Sequence, residues 1–326
     1  MRAVVTGASG HLGAGLMAAL LDEGTTVRAV AHRNLDAFEG LGVEVVRGDV
    51  LDRGGLVEAF RGADVVYHLA AVISITGDPT GTVRRVNVEG AANAAVAALE
   101  AGVGRFVHCS SIHAFDLSIG GGVIDESSPR VPSDSPLHAA YDRSKANGER
   151  AVREVVASGL DAVIVHPTSV IGPHDREPSR MGRFFLRLRA RTLPSLVRGG
   201  FDFVDVRDVA AGLIGAARRG KSGQSYLLGG RYLSVGELAA IAAKATGVRP
   251  PRIVLPIWTA RLGLPFIAAA ARIRGVEPLY TSESLDALGL SSRIDHGLAE
   301  RDLGFSVRPI EETVRDLYDW FDAAHG

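Results

Sequence analysis

The chain has 326 residues, enough for one large core or for a core with an attached lobe. Its formal net charge is −1 and 22% of its residues are charged, so the overall charge favours neither nucleic acid nor an anionic membrane as a partner. The single cysteine, Cys109, excludes a framework of internal disulfides and is typical of the reducing cytoplasm, where we expect the protein to be located.

Neither a secretory leader nor a membrane span is predicted. Only five residues precede the glycine-rich start of the chain, too few for the charged and apolar regions of a leader. The most apolar stretch, residues 253–273, contains Pro256, Arg261, Pro265 and Arg272. It therefore lacks the roughly 20 uninterrupted apolar residues of a membrane span, and we interpret it as helices of a lobe.

The first element is a short buried strand, Ala3–Val5, and the pattern Gly7-x-x-Gly10-x-x-Gly13 follows it closely. Apolar residues then recur at helical spacing until Gly24. A strand, a glycine turn and a helix in this order bring backbone N–H groups and a helix N-terminus against a pyrophosphate. The sequence therefore predicts a nucleotide-binding turn.

The second predicted strand, residues 25–31, ends at His32 and Arg33. In dinucleotide folds this strand end meets the adenosine ribose, where an acid accepts hydrogen bonds from the 2′-hydroxyl. No acid is present here, whereas Arg33 and His32 can meet a 2′-phosphate, which favours NADP over NAD. The alternative is that Arg33 only points into solvent.

Strands and helices continue to alternate along the chain. The predicted strands cover 43–46, 64–69, 106–109 and 161–165, and the predicted helices cover 53–60, 83–101 and 141–157. This alternation predicts an α/β fold, a doubly wound parallel sheet with ligands at the carboxyl ends of its strands. Ser111 follows one strand and shares that rim with the glycine turn. A Gly, Ser and Pro-rich loop, residues 120–136, predicts a covering flap.

The regular alternation weakens after residue 166. We predict a dinucleotide-binding domain of residues 1–166 plus about 201–228, and a smaller C-terminal substrate-binding lobe of about 167–200 plus 229–326. Proteins of this organisation place the cofactor on the sheet and the substrate against the lobe.

Tyr141 and Lys145 lie four residues apart, so a helix places them on one face. A fixed positive charge beside a phenol lowers its pKa from about 10, and a serine hydroxyl aimed at the same point can hold a carbonyl oxygen. Taken alone, such a pair is more often a solvated helix pair. The glycine turn and Ser111 favour a proton-transfer site instead.

With these residues in place, the chain resembles an extended short-chain dehydrogenase/reductase along essentially its whole length. The shared motifs are Thr6-Gly7-x-x-Gly10-x-x-Gly13, Asp49-Val50, His68-Leu69-Ala70-Ala71, Ser111, Tyr141-x-x-x-Lys145, Pro167–Pro173 and Val204–Val209. The resemblance implies that Tyr141 is the general acid/base, that Ser111 positions the carbonyl, and that Lys145 binds the nicotinamide ribose and lowers the pKa of the tyrosine. Asn87 matches a family asparagine to which we assign a structural role.

The resemblance also implies the residues that bind the cofactor. They are Gly7, Ser9, Gly10, His11, Leu12, Gly13, His32, Arg33, Asp49, Val50, Leu69, Ala70, Ala71, Lys145, Pro167, Thr168 and Val170. In the dihydroflavonol reductase, cinnamoyl-CoA reductase and 3β-hydroxysteroid dehydrogenase branch of the family, the arginine that meets the 2′-phosphate aligns with His32, so Arg33 lies one position later in this chain.

Two chemistries of the family fit this sequence less well. Sugar-nucleotide epimerases carry an asparagine at the position of Ser169 and an arginine at that of Phe201. Dehydratases carry an Asp-Glu pair where this chain has Ile112-His113. The remaining pattern is similar to the dihydroflavonol reductase, cinnamoyl-CoA reductase and 3β-hydroxysteroid dehydrogenase branch, whose apolar lobe receives an aromatic, steroid or acyl carbonyl compound.

We assign four residues to the substrate: His113, Ser169, Phe184 and Phe201. Five aromatic residues are candidates for an apolar wall, although such residues more often form a lobe core: Phe184, Phe185, Phe201, Trp258 and Phe266. Six arginines (Arg180, Arg183, Arg187, Arg189, Arg191 and Arg198) form either a solvated face or a site for an anionic handle. The histidines do not assemble a metal site, and His108 and His113 are structural or substrate-facing.

The sequence thus predicts an NAD(P)-dependent oxidoreductase that reduces a small-molecule carbonyl, or oxidises the alcohol, with NADP preferred. The alternatives are an epimerase that uses NAD transiently and a nucleotide-binding sensor without catalysis; the intact serine, tyrosine and lysine argue against the sensor. By analogy with the family we expect a homodimer, paired through the helix that begins near Asn87 and the helix of Tyr141.

Overall fold

Fourteen strands form four sheets in the computed structural model, which describes residues 1–32, 35–118, 122–274, 280–289 and 293–325. The strands are β1 (Arg2–Thr6), β2 (Thr26–Ala31), β3 (Glu44–Arg47), β4 (Val65–His68), β5 (Arg105–Cys109), β6 (Val123–Ile124), β7 (Ala162–Pro167), β8 (Ser169–Ile171), β9 (Leu196–Val197), β10 (Gly200–Asp205), β11 (Ser225–Leu228), β12 (Arg231–Ser234), β13 (Val254–Leu255) and β14 (Arg293–Ile294).

Twelve α-helices accompany these strands in the described residues. They are α1 (His11–Asp22), α2 (Arg53–Phe60), α3 (Thr82–Arg84), α4 (Gly90–Glu100), α5 (Ala140–Ala157), α6 (Arg180–Arg189), α7 (Val206–Arg219), α8 (Val235–Thr246), α9 (Ile257–Arg274), α10 (Ser282–Gly289), α11 (Gly297–Leu303) and α12 (Ile310–His325). Short 3₁₀ turns cover Asp36–Phe38 and Ile112–Ala114, and a π-helical turn, Arg85–Glu89, joins α3 to α4.

The large sheet has seven parallel strands in the order β11-β7-β5-β4-β1-β2-β3. One apolar core lies under α1, α7 and α11, and a second lies on the opposite face under α2, α4 and α5. The strand order reverses between β1 and β4, and ligands bind at such a switch point in doubly wound sheets. The predicted α/β fold with a doubly wound parallel sheet, the arrangement of Rossmann domains, is confirmed.

A third core belongs to the C-terminal part of the chain. It includes aromatic residues of α6, β10 and α12 and aliphatic residues of α8 and α10. β10 pairs with β8 and β12 in a three-stranded sheet, whereas α7 and β11 belong with the large sheet. The segment 201–228, which the sequence assigned to one domain, therefore begins in the small sheet and ends in the large one.

The long helix predicted over residues 83–101 contains a π turn. Asn87 is buried within this turn, and its side chain accepts from the Val72 N–H at 2.8 Å and donates to the Val72 carbonyl and to Ser144 Oγ, both at 2.9 Å. Gly148 permits this approach, because a Cβ there would lie 2.2 Å from the Asn87 carbonyl oxygen. Asn87 thus has the structural role that we assigned to it.

The predicted flap, residues 120–136, is largely anchored where the structure describes it, from residue 122 onward. β6 pairs with β14, and the Arg130 guanidinium lies 3.7 Å from the centre of the Phe115 ring. Arg130 also reaches the Glu149 carboxylate on α5 at 3.1 Å. These contacts tie the segment to the sheet and to the helix that carries Tyr141.

Candidate active site

One continuous cleft runs along the carboxyl ends of β1, β4, β5 and β7 and continues under the lobe. Every residue that the sequence assigned to catalysis, cofactor or substrate lines this cleft, apart from Arg33, which lies outside the described residues. The cleft therefore brings together residues that are up to 194 positions apart in the chain, from Gly7 to Phe201.

The glycine turn forms one end of the cleft. Gly7 has φ 69°, and a Cβ on it would lie 2.6 Å from the backbone nitrogen of Ala70. A Cβ on Gly13 would lie 2.3 Å from the Gly7 carbonyl oxygen. A Cβ on Gly10 would meet only that same oxygen, at 3.4 Å, and would otherwise occupy the cleft. The three glycines thus allow close packing on one side and close approach of a ligand on the other.

Gly10 is also the N-cap residue of α1, and no side chain caps this helix. The first N–H groups of α1 therefore remain available for the phosphates of a nucleotide. His11 holds this corner to the lobe, since its Nε2 lies 3.1 Å from the Gly172 carbonyl oxygen and 2.9 Å from that of Pro173. The imidazole of His11 is thus engaged with backbone.

His32 and Asp49 mark the end of the cleft beyond the glycine turn. His32 Nε2 lies 3.5 Å from an Asp49 carboxylate oxygen, and both side chains are about half exposed. A second oxygen of Asp49 accepts the Leu51 N–H at 2.9 Å, which fixes the carboxylate. Sequence reasoning found no acid at the end of β2, yet the fold brings one there from the end of β3.

Ser111, Tyr141 and Lys145 meet at the middle of the cleft. Ser111 follows β5 in an extended conformation, and its hydroxyl accepts the His113 N–H at 3.3 Å. Tyr141 lies in the first turn of α5 and shares a hydrogen bond with the Ser111 side chain. Lys145 is buried one turn later, and its Nζ donates to the Cys109 carbonyl at 3.0 Å. The helix thus presents the phenol and the ammonium to the same strand end.

Burial raises the pKa of Tyr141 above its ordinary value, against the opposing effects of the Ser111 hydrogen bond and the Arg180 charge. The sequence-based expectation that Lys145 lowers this pKa is therefore wrong in net direction. Burial also lowers the pKa of Lys145. A phenol with a raised pKa keeps its proton at neutral pH and can donate it to an oxygen that becomes an alkoxide.

Behind Ser111, Tyr141 and Lys145 lie two buried histidines, and Nδ1 of one of them, His68, lies 2.8 Å from the Thr6 hydroxyl. His68 and His108 occupy paired positions of β4 and β5, and their rings stack at 5.5 Å. Burial lowers the pKa of His68 to about 3, and it lowers the pKa of His108 as well. Both rings are therefore neutral and structural. Within the described residues, no group of three or more potential ligands is arranged to hold a metal ion.

The lobe side of the cleft holds only part of the predicted aromatic wall. Phe184 and Phe201 line the cleft, as do Ser169 and His113. Phe185 is fully buried in the lobe core instead, and Trp258 is 66% exposed outside the cleft. The side chain of Phe266 lies outside the described residues.

The four-residue spacing of Arg183, Arg187 and Arg191 predicts a stripe on one helix face, and the structure breaks this stripe. α6 ends at Arg189, and Arg191 lies in the following turn with φ 57°, so it does not continue the face of Arg183 and Arg187. Arg189 bonds Asp322 on α12. Of the six arginines, Arg180 and Arg183 line the cleft, and the charge of Arg180 acts on Tyr141. The anionic-handle interpretation therefore narrows to these two side chains.

Sequence reasoning missed Asp142, which follows Tyr141 on α5. Its carboxylate lies 2.8 Å from His113 Nδ1, and the His113 ring packs edge-on against Tyr141 with centroids 5.4 Å apart. His113 therefore has a carboxylate partner, although neither adjacent residue in the sequence is an acid. The available signal was positional, since Asp142 is next to the predicted acid and His113 is two residues from the predicted serine.

Comparison with known proteins gives a consistent picture. Residues 3–229 match the model of the NAD dependent epimerase/dehydratase family. Sterol demethylase protein B of Methylococcus capsulatus is 34% identical, with 98% of each chain covered. A putative dihydroflavonol 4-reductase of Synechocystis is 33% identical, with 97% of this chain and 93% of that protein covered. The crystal structure of gox2253 superposes with a TM-score of 0.84 at 30% identity over 99% of this chain and 98% of that one.

Proposed function

Because the chain belongs to the NAD dependent epimerase/dehydratase family, we propose that it is an NAD(P)-dependent oxidoreductase that reduces a carbonyl compound, or oxidises the matching alcohol. The observation that carries this proposal is the meeting of Ser111, Tyr141 and Lys145 on the rim that also holds the glycine turn. These residues supply a proton donor, a hydrogen-bond donor to oxygen and a buried cation.

The residues of the cleft fit a dinucleotide. The glycine turn leaves room at Gly10 and offers the uncapped N-terminus of α1 to a pyrophosphate. Small residues after β4, Ala70 and Ala71, leave the next part of the cleft open. When bound, the nicotinamide supplies or accepts hydride at the reacting carbon.

The chain's own residues handle the oxygen and its proton. Ser111 donates a hydrogen bond to the carbonyl oxygen, and Tyr141 gives that oxygen its proton as the carbon is reduced. The raised pKa of Tyr141 suits this role, since the phenol stays protonated until an alkoxide develops beside it. Lys145 holds the ribose next to the tyrosine and compensates the phenolate that remains.

We propose that the substrate is an apolar carbonyl compound, aromatic, steroidal or acyl-like. Phe184 and Phe201 support an apolar contact in the lobe part of the cleft. Arg180 and Arg183, on the same helix as Phe184, support an anionic group on the substrate. The names of the relatives fit this class, since one is a sterol demethylase protein and another a putative dihydroflavonol reductase.

The test is consumption of NADPH and NADH against aromatic aldehydes, ketones, steroids and acyl-CoA esters, with wild type and Tyr141→Phe side by side. We expect turnover of one carbonyl class and a loss of about 10²–10⁴-fold in the variant. Tyr226→Phe is the matched control, because its phenol bonds Asp302 outside the cleft. Equal rates in wild type and Tyr141→Phe would refute the acid role, and silence across the panel with tight nucleotide binding would favour an epimerase or a sensor.

We propose NADP as the preferred cofactor, with His32 and Arg33 at the 2′-phosphate. Arg33→Asp should shift the ratio of dissociation constants toward NAD, since a carboxylate repels the phosphate. The nearby Asp49 is a competing feature, because an acid there can accept bonds from an unmodified ribose. If Asp49→Asn weakens the binding of NAD but not of NADP, and Arg33→Asp changes neither dissociation constant, NAD is the cofactor.

The remaining expectations concern location and assembly. Among the described residues, no helix is long and apolar enough to cross a membrane. The cytoplasmic location stays a prediction. We propose a homodimer that pairs α4 and α5 with their copies, and light scattering of the purified protein measures its mass directly.

A further inference from the structure

His113 and Asp142 form a hydrogen-bonded pair at the edge of Tyr141. The Nδ1 of His113 lies 2.8 Å from a carboxylate oxygen of Asp142, and the two side chains are 34% and 23% exposed. The His113 ring meets the Tyr141 ring at 65° with centroids 5.4 Å apart. All three residues line the cleft. The fold therefore sets an imidazole with a carboxylate partner beside the proposed proton donor.

The Asp142 contact decides what His113 can do. A carboxylate next to Nδ1 holds the ring proton there, which leaves the lone pair on Nε2 as an acceptor. Nε2 has no hydrogen-bond partner in the described part of the chain, and the side chain reaches solvent in the cleft. An imidazole that bonds a carboxylate through Nδ1 and has no partner at Nε2 is the arrangement of a general base.

Four other histidines of the described chain pair with carboxylates, and each differs in a decisive way. His138 uses both ring nitrogens, for Asp116 and Ser135. His166 is fully buried against Glu149. His296 lies outside the cleft, and His32 lies at its adenosine end. His113 therefore combines the carboxylate, the open nitrogen and the contact with Tyr141.

We propose that His113, positioned by Asp142, is a general base that removes a proton from the carbon next to the bound carbonyl. This rests on the proposed function for the way in which Ser111 and Tyr141 hold the oxygen. The enzyme would then enolise ketones that carry an α C–H bond, in addition to transferring hydride. The sequence has Ile112-His113 where dehydratases carry an Asp-Glu pair, and the fold brings a carboxylate to His113 from α5 instead.

The step balances without an oxidant or a further reactant. Nε2 takes the α proton, the electron pair of the C–H bond becomes the C=C bond, and the carbonyl π pair moves to the oxygen. Ser111 and Tyr141 stabilise that oxygen by hydrogen bonds, and the charge of Arg180 favours negative charge at the phenol end. Return of a proton from Nε2 to the same face regenerates the ketone, so the net result is exchange of the α hydrogen with solvent.

The titratable and charged groups near the pair lie on three helices. Tyr141 and Arg143 lie with Asp142 on α5, Arg180 lies on α6, and Glu283 lies on α10 and feels the charges of Asp142 and Arg180. Lys145 is turned away from the pair, toward the Cys109 carbonyl. The Asp142 carboxylate is thus the anion in hydrogen-bond contact with His113.

The test is exchange of α hydrogen for deuterium in D₂O, read by NMR or mass spectrometry, with the ketones of the reductase panel. Saturating NADP⁺ is present, so the ketone cannot be reduced and only proton transfer is measured. We expect wild type to accelerate exchange, His113→Ala to lose about a hundredfold, and Asp142→Asn to lose about tenfold. Added imidazole should restore part of the rate to His113→Ala. His296→Ala, a histidine with a carboxylate outside the cleft, should match wild type.

The outcomes separate this inference from the proposed function. Exchange of the α hydrogen without NADPH consumption supports His113 as a base and refutes hydride transfer. NADPH consumption without exchange for any ketone overturns only the proposal that His113 is a base. A loss in His113→Ala that equals its loss of reduction, and that imidazole does not restore, marks the residue as structural and also overturns the proposal.

Discussion

The two walls of the cleft are built in different ways. The wall from the large sheet places buried polar groups in fixed contacts, such as Lys145 on the Cys109 carbonyl and Asn87 on Val72. The lobe wall offers aromatic rings and arginines from α6 and β10, together with residues of α10. Buried polar contacts fix geometry because each lost partner is costly, while apolar contacts tolerate exchange. The first wall therefore suits the proposed chemistry, and the second suits the proposed choice of substrate.

The largest expected effect concerns the ion pairs that hold α5, the helix of Tyr141 and Lys145, in place behind the first wall. Glu149 on α5 is 2% exposed and bonds Arg130, Arg153 and His166. Glu149→Gln removes the charge that both arginines share, and we expect a loss of about 3 kcal/mol in the free energy of unfolding. Chemical denaturation measures it. Glu154→Gln, an exposed site on the same helix, should stay within about 0.5 kcal/mol, and equal stability of the two variants would contradict the support role.

The next prediction distinguishes, within the same wall, a residue that acts on the rate from one that acts on stability. Lys145→Met should lower kcat by about a hundredfold, because the cation beside Tyr141 is lost. Stability should not fall as in Glu149→Gln, since burial lowers the pKa of Lys145 and the charged form is disfavoured there. Lys244→Met, an exposed lysine of α8, is the control. If Lys145→Met loses as much free energy of unfolding as Glu149→Gln, the role of Lys145 is structural.

The pH dependence of stability sharpens the role of Glu149. Burial would raise the pKa of Glu149, but His166 and Arg130 hold it below its ordinary value. A carboxyl with a lowered folded-state pKa stabilises the protein above its unfolded value, about 4.3, and this contribution is lost as the pH falls below that value. We therefore expect the Tm of wild type to fall more steeply than that of Glu149→Gln between about pH 5 and pH 3. Parallel curves would contradict this.

The residues of the first wall could be predicted from the sequence because they lie at strand ends or at regular helical spacing. Strand ends of a parallel sheet share one rim, so the positions of Gly7, Ser111 and Thr168 follow from the alternation of strands and helices. The i, i+4 spacing gave the common face of Tyr141 and Lys145. Contacts between distant segments were not accessible in this way, such as Asp49 with His32 and Asp142 with His113.

The second wall was harder to predict for a physical reason. Phe184 and Phe185 are neighbours of the same type, yet one reaches the cleft and the other only the lobe core. Helix rotation decides this, and rotation depends on packing between segments far apart in the chain. The direction of the Tyr141 pKa shift was missed for a related reason, since burial is a property of the whole fold.

The smallest expected effect tests the second wall through Phe201. This ring lines the cleft from β10 and packs edge-on against Phe203 at 6.0 Å. Phe201→Ala removes apolar contact with the substrate, and burial of about 50 Å² at roughly 25 cal/mol per Å² corresponds to about a tenfold rise in KM. We expect kcat to change little, because the ring does not touch the oxygen or its proton donors.

Steady-state kinetics with a large and a small carbonyl substrate make this prediction specific. The rise in KM should be smaller for the small substrate, which leaves the lobe wall empty. Trp258→Ala replaces an aromatic residue that is 66% exposed and outside the cleft, and it should leave both KM values unchanged. A fall in kcat at constant KM would instead place Phe201 with the chemistry and remove the distinction between the two walls, since binding lost only in the transition state has that kinetic signature.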